Sequence, residues 1–119
     1  MISEAHPITL DNSEPEPDIA VLRLPETRYA THHPYLQDIY WLIEIGDRTI
    51  KKDLEAKSLT YARNGIPEYW VIDLPHKKLW VFTQPESHPY KNCSEIKLGA
   101  IAPVAFPEVN VEVDRLLVV

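Results

Sequence analysis

The chain has one cysteine and three glycines in 119 residues, and each scarcity removes a class of function. Cys93 stands alone, so no internal disulfide can form and a reducing cytoplasm is the expected compartment. One cysteine with no spaced Cys or His partner is not a zinc signature. Glycines only at positions 46, 65 and 99 leave no Gly-rich phosphate loop, so Walker-type and dinucleotide-binding turns are absent. There is no G-x-S-x-G elbow, and no Ser-His-Asp arrangement can be argued. Five histidines are scattered; the adjacent pair, His32-His33, sits before Pro34 in a Thr-, Tyr- and Pro-containing stretch and reads as loop surface. Positive charge is also short. Twelve Lys and Arg against 18 Asp and Glu give a net charge of −6, which argues against a general electrostatic grip on nucleic acid and leaves room only for a local basic patch. No apolar run approaches membrane-spanning length, and the opening "MISEAHPITLDNSEPEPD" has neither the basic nor the apolar region of a signal peptide.

What is present suits one domain with one modest core. Residues 1–17 carry four acids and three prolines with little periodicity, and are expected as an extended N-terminal segment on the surface or against a neighbour. Residues 18–119 are expected as a single domain. "DIAVLRL" (18–24) reads as a strand stopped by Pro25, and 25–37 as a loop. "DIYWLIEI" (38–45) has the near-continuous apolar pattern of a central strand buried on both faces. From about Lys51 to Asn64 the period turns helical, with Leu54, Ser58 and Ala62 on one face and Tyr61 at its margin. Asp53, Lys57 and Tyr61 form a second stripe at four-residue spacing. Gly65 suits the left-handed position after a helix, and Pro67 prevents continuation. "EYWVIDL" (68–74) and "KLWVFTQ" (78–84) around Pro75-His76-Lys77 give the best hairpin signal. "YKNCSEIKL" (90–98) is a weaker alternating strand, and "VNVEVDRLLVV" reads as a final strand or a strand running into a short helix. The helix between positions 44 and 68 would be a crossover if its flanking strands are parallel neighbours.

The chemistry-bearing groups are Asp18 at a strand start, Glu44 inside an apolar strand, and Asp53 and Lys57 on the helix. A pair of carboxylates can hold a divalent cation, and a lysine can offset charge that builds on phosphate. Each also has a plainer explanation. Pro17-Asp18 is a common turn dipeptide, and Asp53 with Lys57 can form a surface ion pair worth about 0.3–0.5 kcal/mol. Glu44 is harder to dismiss, because five apolar or aromatic residues precede it and an unpaired buried carboxylate is expensive. Tyr61, Tyr69 and Trp70 read first as core aromatics, Asp73 as a turn initiator, and Asp47 and Glu68 as lesser candidates for extra ligands.

The segments "SEPEPDIAVLRL", "WLIEI", "DLEAKSLTYARNGIPEYWVIDL" and "APVAFPEVNVEVDRLL" resemble the Uma-type family of bacterial restriction endonucleases, within the PD-(D/E)XK nuclease superfamily. The likeness runs from about Ser13 to Leu117. It implies an α/β (α+β) fold with a restriction-endonuclease-like mixed central sheet and a flanking helix, here lacking the N-terminal part. It implies a Mg²⁺- or Mn²⁺-dependent endonuclease acting on DNA. Asp18 and Glu44 would be the metal-binding catalytic acids, with Lys57 as the catalytic lysine. The parent superfamily places its lysine two residues after the second acid; here that position is Gly46, and the lysine has migrated to the following helix. Tyr61, Glu68, Tyr69 and Trp70 match other strong positions, as structural support. The turn Ile45-Gly46-Asp47-Arg48-Thr49 departs from the family's pattern. The absent first helix would expose a sheet face or edge, so a homodimer is expected, with the apolar tail or the Tyr-rich loop at its interface. A reading from another class is a catalytically inactive remnant of the fold serving as a protein-binding or assembly module.

Overall fold

A computed structural model describes residues 1–48, 51–86 and 89–118. Thr49 of the departing turn and Val119 of the apolar tail lie outside the described residues. Strands β1 (Ile2–Glu4), β2 (Ile19–Leu22), β3 (Ile39–Gly46), β4 (Glu68–Asp73), β5 (Lys78–Pro85) and β6 (Tyr90–Ile96) form one sheet in the order β1-β2-β3-β4-β5-β6. Every neighbouring pair is antiparallel except β3 and β4, which are parallel. Helix α1 (Lys51–Arg63) makes the crossover that a parallel pair requires. The helix stops where the sequence indicates: Gly65 takes φ +75°, and Ile66 N–H donates to the Tyr61 carbonyl at 3.0 Å. The hairpin turn between β4 and β5 is capped by buried Asp73, whose carboxylate accepts from His76 N–H, the His76 ring and the Trp80 indole.

Alternation along β4 divides the core. All six of its residues are buried, so it reads as the sheet's innermost strand. Tyr69 and Val71 face one cluster with Ala20, Leu22, Leu42 and, from α1, Leu54, Tyr61 and Ala62. Trp70 and Ile72 face another with Trp41, Leu79 and Val81. Each fully buried side chain of this kind contributes about 1.5–3 kcal/mol. The second face is covered by the tail: β7 (Ala100–Ile101) and β8 (Val111–Glu112) pair as a separate ribbon, and α2 (Val113–Leu116) follows. Val113 and Leu117 bury their side chains in that cluster. The strand-into-helix alternative for the tail is therefore the one adopted.

Residues 1–17 join the sheet and the first core cluster. They supply edge strand β1, paired Ile2↔Val21 to Glu4↔Ile19, and they bury Ile8 and Leu10 in the first cluster. The physical reason is long-range: Ala5 N–H donates to the Asp18 carbonyl and the Met1 ammonium to the Leu22 carbonyl, partners that local periodicity cannot reveal. Of the face or edge expected to be exposed, the faces are covered, one by α1 and the other by the tail, and the open feature is an edge.

Glu68 fastens the tail. Its carboxylate is 2% exposed and accepts from the Trp70 indole and from Val104 N–H, both at 2.7 Å. Burial raises its pKa above the ordinary 4.5, against the lowering effect of those two donors. The folded state thus holds the proton more tightly than the unfolded chain. The associated stability is present in full below the unfolded pKa and is lost as pH rises through the raised folded one. We expect denaturation midpoints of the wild type to carry this decline upward from about pH 4.5, and Glu68→Gln to remove it, measured by urea unfolding at a series of pH values.

Candidate active site

The antiparallel register brings the two acids together. Ile19 stands opposite Ile43, so Asp18, one residue earlier, lies beside Glu44 where β2 and β3 part. There the Asp18 carboxylate takes the place of a ladder partner and accepts from Ile45 N–H at 2.7 Å. Glu44 projects from β3 on the same face as Val71, its parallel neighbour on β4. Crossover helix α1 returns over this strand end and delivers Lys57, whose ammonium donates to Glu44 Oε1 at 3.0 Å. The lysine side chain is 57% exposed and Glu44 only 13%, so as a stabilising contact the pair counts for little, about 0–1 kcal/mol. Lys57 is thus joined to Glu44 rather than to Asp53, the surface partner that helical spacing offers.

These groups line one open cleft of about 520 Å³. Its wall also includes Glu16, Arg48 and Asp53, and its floor Tyr69 and Val71. The charged lining residues are four acids (Glu16, Asp18, Glu44, Asp53) and two bases (Arg48, Lys57). Such a surface repels a bare phosphodiester and attracts a cation. Among the described residues no cluster of three or more His, Cys, Asp or Glu side chains could hold a metal ion. Two carboxylates still suit Mg²⁺, which keeps several waters and is bound through one or two protein carboxylates together with substrate phosphates.

Tyr69 is the residue whose role sequence reasoning missed. Its hydroxyl donates a hydrogen bond to Glu44 Oε2, so both oxygens of that carboxylate are engaged. The ring is locked in the core, edge-on to Tyr61 at 4.8 Å and stacked on Phe82 at 5.6 Å. Burial first, and the Glu44 charge second, hold the Tyr69 pKa well above the usual tyrosine value. Tyr61 is raised likewise by burial and by the charges of Glu44 and Asp18. Both phenols therefore stay protonated at neutral pH, and Tyr69 remains a donor. A signal was present in the sequence: "WLIEI" and "EYWVID" as parallel strands put Leu42 opposite Tyr69, one pleat from Glu44. Strand parity also decides Glu68, which points to the opposite sheet face and is not a ligand candidate, while Asp47 is exposed and outside the cleft lining.

The profile described as "Uma2: Putative restriction endonuclease" matches residues 1–114. Among solved structures, the crystal structure at 1.96 Å of a "putative nuclease belonging to DUF820" from Anabaena variabilis superimposes with a TM-score of 0.70 at 16% identity. The superposition covers 98% of this chain and 66% of that one, so this chain spans just under two thirds of its neighbour. At that identity the likeness shows the mixed-sheet fold. No curated protein matches the sequence.

Tyr69→Phe isolates the hydroxyl that orients Glu44. We expect it to cost about 1.5–3 kcal/mol of folding stability, the range for a hydrogen bond to a charged acceptor, with an unchanged far-UV circular dichroism spectrum.

Proposed function

The chain belongs to the Uma2 family of putative restriction endonucleases, and from that premise we propose that it is a divalent-cation-dependent nuclease acting on DNA, with Asp18, Glu44 and Lys57 as its working residues. The observation that carries this reading is the convergence of two carboxylates and one ammonium group, from the residue before β2, the C-terminal half of β3 and the middle of α1, on one cleft. Asp18 and Glu44 would hold Mg²⁺ or Mn²⁺, with the Ile45 carbonyl as a further donor. Bound there, the cation supplies a water of lowered pKa and a Lewis acid toward phosphoryl oxygen, so no histidine base is required.

The chain's own residues do the positioning. Ile45 N–H fixes one oxygen of Asp18. Tyr69, rigid in the core, fixes one oxygen of Glu44. Lys57 reaches over Glu44 from α1 on a flexible, largely exposed stem. Its ammonium orients the attacking water and supplies positive charge where negative charge accumulates on the phosphoryl oxygens in the transition state. Gly46 lines the cleft without a side chain, at the position from which a strand-borne lysine would otherwise project. A homodimer in a reducing cytoplasm belongs to the same proposal, and the free, exposed Cys93 is compatible with that setting.

The test is calorimetric titration of Mg²⁺ and Mn²⁺ into the wild type and Glu44→Ala, followed by cleavage assays on DNA. We expect cation binding to vanish in Glu44→Ala and cleavage to fall by at least about 10²-fold, with the fold retained at a cost of about 1–3 kcal/mol because the buried Tyr69 hydroxyl loses its acceptor. Lys57→Ala should lower kcat while leaving cation affinity in place. A folded wild type that binds neither cation, or a Glu44→Ala variant that cleaves as well as wild type, would overturn the assignment and favour the assembly-module reading.

A further inference from the structure

Strand β6 closes one edge of the sheet, and no described strand pairs with its outer side. The other edge, β1, is three residues long, while β6 is seven. Lys91 to Glu95 are all exposed, and no proline interrupts the strand. Proteins ordinarily blunt an edge of this length with a bulge, a proline, a cover or a charge, because its free N–H and C=O groups are a template for another strand. Among the described residues only charge is used here, and it is placed symmetrically. Lys91 and Glu95 have opposite signs and each lies two residues from Cys93. They oppose most incoming strands but not an antiparallel copy of themselves.

We propose that two copies of this chain pair through β6, antiparallel about a two-fold axis at Cys93, to make a continuous twelve-stranded sheet. In that register Lys91 stands opposite Glu95 of the second copy, twice over, Asn92 opposite Ser94, and Cys93 opposite itself. The register is specified against its neighbours. A two-fold centred on Ser94 sets Lys91 against Lys97. Centring on Glu95 or on Lys91 sets that residue against its own copy, and centring on Asn92 leaves both charges unmatched. Opposite charges directly across antiparallel strands are favourable and like charges unfavourable.

The existing partners of these side chains leave the pairing open. Lys91 meets Glu86 only at 4.0 Å, with both side chains about three-fifths exposed or more (60% and 65%). Glu95 is paired with Lys78 yet remains 49% exposed, so Lys91 of the second copy extends that pair into a Lys-Glu-Lys row. The association is isologous and closes on itself, leaving the short β1 strands as the two edges of the joined sheet. It is independent of the nuclease reading and moves the expected interface away from the apolar tail and the Tyr-rich loop.

The test is light scattering across the micromolar range, combined with mild copper-catalysed oxidation read on a non-reducing gel. We expect a dimer that is cross-linked through Cys93 in the native state and not in urea. Lys91→Glu should weaken the dimer about tenfold, since two attractive pairs become repulsive, and the double exchange Lys91→Glu with Glu95→Lys should restore it. A protein that stays monomeric overturns the proposal. So does a dimer that resists Cys93 cross-linking and ignores both charge variants, because another surface would then hold it.

Discussion

The parallel pairing of β3 with β4 is the constraint on which the rest of this molecule depends. Antiparallel neighbours need only a tight turn, but a parallel pair obliges the chain to return along the full length of the sheet before the second strand can begin. The return is α1. Because it starts beside the end of β3, its early turns lie over the strand tip that carries Glu44, and its later turns bury Tyr61 and Ala62 against the sheet. One topological requirement therefore supplies both the helix that seals the core and the amine that reaches the acid.

The same strand pair explains how a small domain keeps its polar groups apart. Tyr69 and Val71 share their face with the cleft, while Glu68 and Trp70 share the other with the tail. The two glutamates, one in the middle of the parallel ladder and one just before its first pair, have opposite tasks. Glu44 is partly open and held by an ammonium and a phenol. Glu68 is closed in with neutral donors only, the indole and a backbone amide, and burial acts on it most. An acid beside a cleft and an acid under a tail thus differ by the parity of their strand position and by the polarity of what surrounds them.

Much of this was legible in the sequence where the signal was local. The helix from Lys51, its stop at Gly65 and the β4–β5 hairpin follow from short-range periodicity and turn chemistry, and the structure adopts each. The apolar run containing Glu44 announced a strand with an acid that needed partners. What was hidden depends on distant segments. The proline-rich start shows no alternation over its length, yet β1 forms because β2 offers an edge and Ile8 and Leu10 find a core already built by others. The contact from Tyr69 to Glu44 spans 25 positions and is visible only once β3 and β4 are known to be parallel and in register. Asp18, Glu44 and Lys57 stood out as an acid-acid-lysine set and the resemblance gave them roles; the geometry that brings them to one cleft comes from the sheet.

The Tyr69 ring has a consequence of its own. One end of it holds Glu44 and the remainder is wedged between Tyr61 and Phe82, both parts of the interior. The acid's orientation is therefore not a property of a surface loop that can fray by itself while the body stays intact. On heating, the cleft and the interior would loosen as one unit, with no temperature window in which a sound scaffold carries a disordered Glu44. By the same route, a change of shape at Phe82, which does not itself line the cleft, would be transmitted to the carboxylate through a single rigid ring.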